Sequence, residues 1–146
     1  KIISYPLSHD VPCFGYRIES DNESLVYLTD TGYVNFKIKK YLKNATYYIF
    51  ESNHDVFMEM NGTKDELTKI RNIGDMGHLS NEDCAMYLSR LSGENTKEII
   101  LIHISEHDNT IDKAYEVNRS LIDERINIHV SYPAMISDIV EIWYFE

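Results

Sequence analysis

The sequence contains no apolar run close to the roughly 20 residues that a membrane-spanning helix requires, so no membrane partner is expected. Cysteine is also scarce, because Cys13 and Cys84 are the two cysteines among 146 residues. Cysteines with apolar neighbours are typical of free thiols packed in a core, as in the reducing cytoplasm. We therefore expect a cytoplasmic protein without a disulfide framework.

Several common catalytic and metal-binding patterns are missing as well. The sequence has no HExxH, CxxC, P-loop or GxSxG motif, so it gives no support for a zincin, a zinc finger, a P-loop NTPase or a serine hydrolase. Linkers rich in proline, glycine or serine are also absent. Residues 1–146 are therefore expected to form one domain.

Basic residues are outnumbered, with 14 lysines and arginines against 24 acidic residues and a net charge of −10. This balance argues against a nucleic-acid binder that works through a broad basic face, since such a face neutralises phosphates with Lys and Arg. It does not exclude an enzyme that meets phosphates at a metal site, because metal ions supply the local positive charge.

Apolar runs of strand length alternate with segments whose apolar residues recur at helical spacing, and this alternation predicts an α/β layered fold. Ser80 is a good N-cap for the clearest helix, with Asp83 three residues later. The predicted strands are KIISYPL, CFGYRIES, SLVYLTD, ATYYIFE, EIILIHIS, INIHVS and DIVEIWYFE. The predicted helices are residues 34–43, residues 54–70 with a break near Gly62, LSNEDCAMYLSRL and TIDKAYEVNRSLID.

Polar clusters follow three of the apolar strands, in VYLTDTG, YIFESNHD and ILIHISEHDN. Ligand sites in open α/β sheets form at the carboxyl ends of the strands. The three clusters are therefore expected to converge in space although they are far apart along the chain.

Each candidate residue also has a plainer interpretation. Asp30 in TDTG forms either an Asx-type turn or a carboxylate metal ligand. His103, between two isoleucines, is either a hydrogen-bonded core residue or a neutral imidazole ligand. His78 is either a loop residue or a contact for a phosphate at the following helix N-terminus. The segment from Glu51 to Asp55 is either a solvated loop or part of a site, and surface positions are expected for His107, Asp108 and His129.

Five blocks of the sequence occur in an order and spacing that resemble a known family. They are SHDVPCFGYRIES, VYLTDTGYV, YIFESNHDVFMEMNG, GHLSNEDCA and ILIHISEHDN. Together they resemble the C-terminal half of a metallo-β-lactamase-fold hydrolase. In sequence and order they are most similar to the YycJ/WalJ-type phosphodiesterases, which also resemble the tRNA 3′-processing ribonucleases. The resemblance covers residues 4 to about 117, and residues 118–146 match only as a general fold ending.

The resemblance implies a four-layered αβ/βα sandwich with a site for two divalent metal ions, zinc or manganese, at the sheet edge. By its motifs, Asp30 bridges the two metals and His103 binds the second one. His78 contacts the scissile phosphate or donates a proton, with Glu51 as its acidic partner. The resemblance places a further set of residues on the substrate side, namely Asn53, His54, His9 and Ser80.

One departure from the family pattern is large, because the HxHxDH metal motif and the next histidine ligand do not occur in this sequence. The chain also starts with Lys1, inside a strand-like segment. We therefore expect residues 1–146 to be the C-terminal portion of a larger domain, with an incomplete metal site and no activity alone. The inner face of its sheet would then be exposed, and the expected partner is the N-terminal half or a second copy.

The function implied by the resemblance is metal-dependent hydrolysis of a phosphodiester, as in a nuclease acting on DNA or RNA ends. A cyclic-nucleotide phosphodiesterase of the same fold is an alternative, and the net charge of −10 slightly favours it. An alternative of another class is a truncated, non-catalytic binding or assembly module that retains the family's surface.

Overall fold

The computed structural model describes residues 1–131, which form a mixed six-stranded sheet with five helices. The strands are β1 Ile2–Pro6, β2 Phe14–Glu19, β3 Ser24–Leu28, β4 Tyr47–Glu51, β5 Glu98–Ile102 and β6 Asn127–Val130. The helices are α1 Lys39–Leu42, α2 Val56–Asn61, α3 Glu66–Ile73, α4 Asn81–Leu91 and α5 Ile111–Leu121.

Strand order in the sheet follows the chain, from β1 to β6. The first three strands form an antiparallel meander, whereas β3, β4, β5 and β6 are parallel. Parallel neighbours require crossover connections, which here carry the helices. The carboxyl ends of β3, β4 and β5 therefore lie at one edge of the sheet, with Leu28 paired to Phe50 and Phe50 paired to Leu101.

The hydrophobic core lies on one face of the sheet, where β-strand side chains pack against the helices. Tyr48, Phe50 and Leu101 are fully buried there, as are Cys84 and Leu88 of α4. Burial of such side chains contributes about 1.5–3 kcal/mol each. Both cysteines are free thiols, Cys84 buried and Cys13 partly exposed.

The opposite face of the sheet carries exposed apolar side chains at its antiparallel edge. Ile2 is 70% exposed and Phe14 is 52% exposed, and Tyr16 and Ile18 beside them are also exposed. Within residues 1–131, none of the helices has the length and apolar character needed to cross a membrane.

Two predicted helices differ from the structure. The helix expected over 34–43 is only Lys39–Leu42, because the Asn35 side chain accepts a hydrogen bond from Lys37 N and a tight turn replaces the first helical turns. The helix expected over 54–70 is two helices, α2 and α3, separated at Gly62 and restarted by the N-cap Asp65. The predicted strand DIVEIWYFE lies outside the described residues.

Helix α4 begins where the sequence predicts. The Ser80 hydroxyl accepts a hydrogen bond from Asp83 N at 3.0 Å and donates one to Asp83 Oδ2 at 3.0 Å. This capping satisfies a backbone donor that would otherwise lack a partner at the helix start. Since His78 lies two residues before this cap, the start of α4 helps to fix the backbone that carries His78.

Candidate metal centre

The structure brings together four potential metal ligands at the carboxyl edge of the sheet. Asp30 lies two residues beyond β3, Glu51 ends β4, His103 directly follows β5, and His78 precedes α4. One ligand atom from each of the four lies within 4.8 Å of all the others. Convergence of these strand ends is what parallel pairing of β3, β4 and β5 imposes.

Two members of this cluster have an unusual backbone conformation. Asp30 and His103 both have φ near 59°, in the left-handed region that side-chain-bearing residues rarely adopt. Such conformations cost on the order of 1–3 kcal/mol each and concentrate at functional sites. The Asn53 side chain supports one of them, because its amide donates a hydrogen bond to the His103 carbonyl at 2.8 Å.

Glu51 is the centre of the cluster and is fully buried. Its Oε1 accepts hydrogen bonds from His78 Nδ1 at 2.7 Å and from His103 Nδ1 at 2.6 Å. Its Oε2 accepts from the backbone N–H groups of Thr31 at 3.2 Å and Leu79 at 3.3 Å. Burial raises the pKa of Glu51, but the hydrogen bonds from His103 and His78 outweigh it and hold the pKa below its usual value. Glu51 is therefore an ionised orienting group with four donors.

These hydrogen bonds determine which ring nitrogen is available. An ionised carboxylate only accepts, so Nδ1 of each histidine carries a proton and Nε2 is the nitrogen left for a ligand. His103 Nε2 lies 3.8 Å from Asp30 Oδ1. Hydrogen bonding to Glu51 raises the pKa of His103, against the opposing effect of burial.

The residues present fit a divalent metal ion. A metal-binding histidine almost always donates its other ring N–H to a carboxylate or carbonyl, as His103 does to Glu51. Two donors that bind one ion at about 2.1 Å each lie up to roughly 4 Å apart, and the separation of Asp30 and His103 satisfies this limit. Imidazole nitrogen and carboxylate oxygen together suit zinc, manganese or iron.

His9 completes a ring of three histidines around Asp30. Its Nδ1 donates to the Gly77 carbonyl at 2.9 Å, while its Nε2 lies 3.9 Å from Asp30 Oδ1 and 3.2 Å from Asp10 Oδ1. The His9 and His78 ring centroids are 5.0 Å apart. His9 thus lies in the site itself, closer to the candidate ligands than its sequence block alone indicates.

The other residues assigned to the substrate side occupy different environments. Asn53 lines the cleft beside His103. Ser80 is buried, and its hydroxyl is engaged in capping α4. His54 is buried to 1% exposure, and among residues 1–131 neither of its ring nitrogens has a hydrogen-bond partner. The substrate roles of all these residues remain predictions.

Three further polar residues were expected at the surface. His107 and His129 are exposed, away from the four-ligand cluster. Asp108 differs from the expectation, because it is 2% exposed and its Oδ2 lies 2.6 Å from Lys64 Nζ. Burial of this carboxylate depends on an ion pair with a residue 44 positions away, which a local sequence pattern cannot reveal.

The cluster opens into a cleft of about 440 Å³. Its lining includes His9, Asp30, His78 and His103 together with two cations, Lys64 and Arg71. Sequence analysis missed both cations, since no motif marks them. A larger cavity of about 560 Å³ lies at the opposite, amino-terminal ends of the strands and has no histidine or cysteine in its lining.

The buried ring of His54 leads to a prediction about stability and pH. Burial lowers the pKa of His54 below its ordinary value of about 6.5. The unfolded chain then binds a proton that the folded chain does not, so this contribution to stability is present above pH 6.5 and is lost as the pH falls below it. We expect His54→Phe to flatten the decline in urea midpoint between pH 7 and pH 5.

The matched control for this prediction is His129→Phe, at an exposed position of β6. Its urea midpoint should follow the same pH curve as that of the parent protein. A His54→Phe curve parallel to the parent curve would show that His54 does not titrate differently in the two states.

Comparison with known proteins shows which protein family the chain is similar to. The sequence profile of the beta-lactamase superfamily domain matches residues 4–104. The chain is 42% identical over 116 residues to exodeoxyribonuclease WalJ of Streptococcus pneumoniae, covering 78% of the chain and 43% of that protein. It is 34% identical over 144 residues to exodeoxyribonuclease YycJ of Bacillus anthracis, covering 92% of the chain and 54% of that protein. The chain thus spans about half the length of these relatives.

Solved structures share the fold at low sequence identity. The metallo-beta-lactamase fold protein YhfI from Bacillus subtilis matches with a TM-score of 0.64 at 18% identity, covering 89% of this chain and 46% of that one. Zn(2+)-bound PqqB from Methylobacterium extorquens matches with a TM-score of 0.53 at 14% identity, covering 90% and 44%. The short form of human tRNase Z matches with a TM-score of 0.53 at 19% identity, covering 72% and 36%.

Proposed function

The chain belongs to the beta-lactamase superfamily, and on that basis we propose that it carries part of the active site of a metal-dependent nuclease. The observation that supports this proposal is the pairing of both His78 Nδ1 and His103 Nδ1 with the buried Glu51, next to Asp30. The names of the relatives from S. pneumoniae and B. anthracis favour DNA as the substrate and strand ends as the point of attack.

In this proposal Asp30 and His103 hold divalent metal, zinc or manganese. A bound ion of this kind polarises a phosphoryl oxygen and neutralises charge that develops during phosphodiester hydrolysis. Asp30 presents its carboxylate without a hydrogen bond from any of residues 1–131, so both its oxygens are available to coordinate. Two ions need more donors than this cluster offers. We propose that ligands from an N-terminal half or a second copy complete the site.

His78 has a different role in the proposal, as the group that meets the reacting phosphate. Its side chain is 13% exposed and lines the cleft. Because Nδ1 donates to Glu51, the ring orientation is fixed. In the imidazolium form Nε2 carries a proton as well, and that N–H can hydrogen-bond to the phosphate or pass its proton to the leaving oxygen, which leaves a neutral ring with its proton on Nδ1. General acid catalysis by a positioned side chain typically contributes 10²–10⁴-fold to the rate.

We expect His78→Gln in the full-length natural protein to retain metal while turnover falls roughly 10²–10⁴-fold. Metal content is measured by inductively coupled plasma mass spectrometry, and turnover is measured on end-labelled single-stranded DNA. His129→Gln serves as the control and should leave both quantities unchanged. Loss of metal together with turnover would instead make His78 a ligand, and an unchanged rate would remove it from the reaction.

The decisive test of the function is an assay of the full-length natural protein with added Mn²⁺ or Zn²⁺. Mononucleotides released stepwise from DNA ends are the expected product. Hydrolysis of cyclic nucleotides alone would favour the alternative that the net charge of −10 suggests. A metal-loaded protein that cleaves no phosphodiester would instead be a non-catalytic binding module.

A further inference from the structure

Two basic side chains line the cleft among the described residues, Lys64 and Arg71. They stand out because the chain as a whole carries a net charge of −10. Either could contact a phosphate group of a substrate, so the question is which of them has hydrogen-bond donors to spare.

Lys64 has none. Its Nζ lies 3.3 Å and 3.0 Å from the two carboxylate oxygens of Glu59 and 2.6 Å from Asp108 Oδ2. An ammonium group has three donors, and these three contacts use all of them. Glu59 is 0% exposed and Asp108 is 2% exposed, so the lysine charge is already offset by two buried carboxylates. Lys64 therefore holds the α2–α3 segment in place.

Arg71 is different. Its Nε donates to Asp10 Oδ2 at 2.6 Å, its Nη2 also pairs with that oxygen, and its Nη1 donates to Asn72 Oδ1 at 3.2 Å. A guanidinium group has five N–H donors, so two remain without a partner among residues 1–131. The Arg71 side chain is 46% exposed, which allows these two donors to reach a molecule in the cleft.

The guanidinium group is also fixed relative to the candidate metal centre. The Asn72 side chain is 7% exposed, and its amide donates to the buried Glu59 at 2.8 Å. The Asn72 carbonyl accepts a hydrogen bond from His78 N at 2.9 Å, and Asp10, the partner of Arg71, contacts His9. Arg71 is thus linked through Asn72 to the backbone of His78 and through Asp10 to the ring of His9.

We propose that Arg71 binds a second phosphate of the substrate, the one next to the phosphate that is cleaved. The two spare N–H donors lie on Nη1 and Nη2 of a planar cation, and such a pair of donors suits the oxygens of a phosphate group. A strand with at least two phosphates can reach both positions, whereas a cyclic mononucleotide has only the reacting one. This inference rests on the proposed nuclease function and narrows its substrate class to oligonucleotides.

The test compares two substrates of the full-length natural protein. One is a short single-stranded DNA, and the other is bis(p-nitrophenyl) phosphate, which has a single phosphate. Arg71→Ala should lower kcat/KM on the DNA roughly tenfold more than on the small diester, mainly through KM. The slope of log(1/KM) against log salt should become shallower by about 0.7, the value for one phosphate contact on a single strand.

Arg125→Ala is the matched control. Arg125 is exposed and pairs with Asp123 at 2.8 Å, as Arg71 pairs with Asp10, but it precedes β6 at the opposite edge of the sheet. The Arg125→Ala substitution removes the same charge, and it should leave kcat/KM on both substrates and the salt slope unchanged. Arg71→Lys keeps the charge without the planar pair of donors, so it should fall between the parent and Arg71→Ala.

A change in the substrate tests the same contact without any variant. A neutral methylphosphonate in place of the phosphate next to the scissile bond should cost the parent protein roughly tenfold in KM. In Arg71→Ala the same replacement should cost much less, since the contact is already gone. The inference would be overturned if the methylphosphonate raised KM equally in the parent protein and in Arg71→Ala. It would also be overturned if Arg71→Ala lowered kcat/KM equally on the DNA and on the small diester. A parent protein inactive on both substrates would refute the nuclease function itself.

Discussion

Asp30→Asn is expected to lower the metal affinity of the full-length natural protein by more than about 100-fold and to abolish measurable turnover. Asparagine keeps the size of the side chain and tolerates the left-handed conformation, so the φ of 59° at this position should be retained. The change removes the negative charge of the carboxylate, whose Oδ1 lies 3.8 Å from His103 Nε2. Isothermal titration with Mn²⁺ or Zn²⁺ measures the effect directly.

A suitable control is Asp21→Asn, which removes an exposed carboxylate in the turn between β2 and β3 at the opposite end of the sheet. Its metal affinity should equal that of the parent protein. If Asp30→Asn bound metal normally, the assignment of Asp30 as a ligand would be wrong, and the left-handed backbone at that position would have to serve another purpose.

Glu51→Gln is expected to produce a stable protein that binds metal about 100-fold more weakly. The new amide oxygen can accept from the backbone N–H groups of Thr31 and Leu79, as Glu51 Oε2 does. Its NH₂ group then faces Nδ1 of His78 and His103, and both rings must move their proton from Nδ1 to Nε2 to accept from it. Since Nε2 of His103 is the proposed metal-binding nitrogen, metal affinity should fall by about 100-fold.

This substitution should lower the free energy of unfolding less than it lowers the free energy of metal binding. All four hydrogen bonds to the side chain can be kept, although neutral bonds replace charge-assisted ones, so the free energy of unfolding should fall by about 1–2 kcal/mol. Urea denaturation measures the stability, and nitrogen-15 NMR of the imidazole rings reports the change of tautomer.

Glu59→Gln is the matched control, because Glu59 is likewise a fully buried carboxylate with its own polar partners, Lys64 and Asn72. It should lower stability by a similar amount while metal affinity stays within about threefold. If both substitutions weakened metal binding equally, the effect of Glu51 would be a general one on folding and not an effect on the histidine tautomers.

The convergence of Asp30, Glu51 and His103 could be anticipated from the sequence for a physical reason. Each follows an apolar run of strand length, and neighbouring parallel strands place their carboxyl ends at one edge. The proximity of Glu51 to His78 could be expected from the family resemblance. The contact of Glu51 with His103 could not, because it joins residues 52 positions apart and depends on the register between β4 and β5.

Other features lay beyond the reach of sequence patterns. Residues 56–76 carry exposed apolar side chains such as Phe57 and Leu67, while the polar Glu59 and Asn72 are buried. The periodicity of apolar residues therefore predicted helices there but did not reveal that these polar side chains are the buried ones. His54 is buried for a related reason, since its segment pairs with Ser80 in a bridge that only the folded chain defines. Arg71 and Lys64 are held in the cleft by partners far along the chain, Asp10 and Asp108 respectively.

The most direct test is the position of the metal in a crystal of the full-length natural protein grown with Mn²⁺ or Zn²⁺. Anomalous scattering at the metal absorption edge should give a peak about 2.0–2.2 Å from both an oxygen of Asp30 and Nε2 of His103, with His103 Nδ1 still bonded to Glu51. A strong peak elsewhere, with Asp30 and His103 unliganded, would contradict the account.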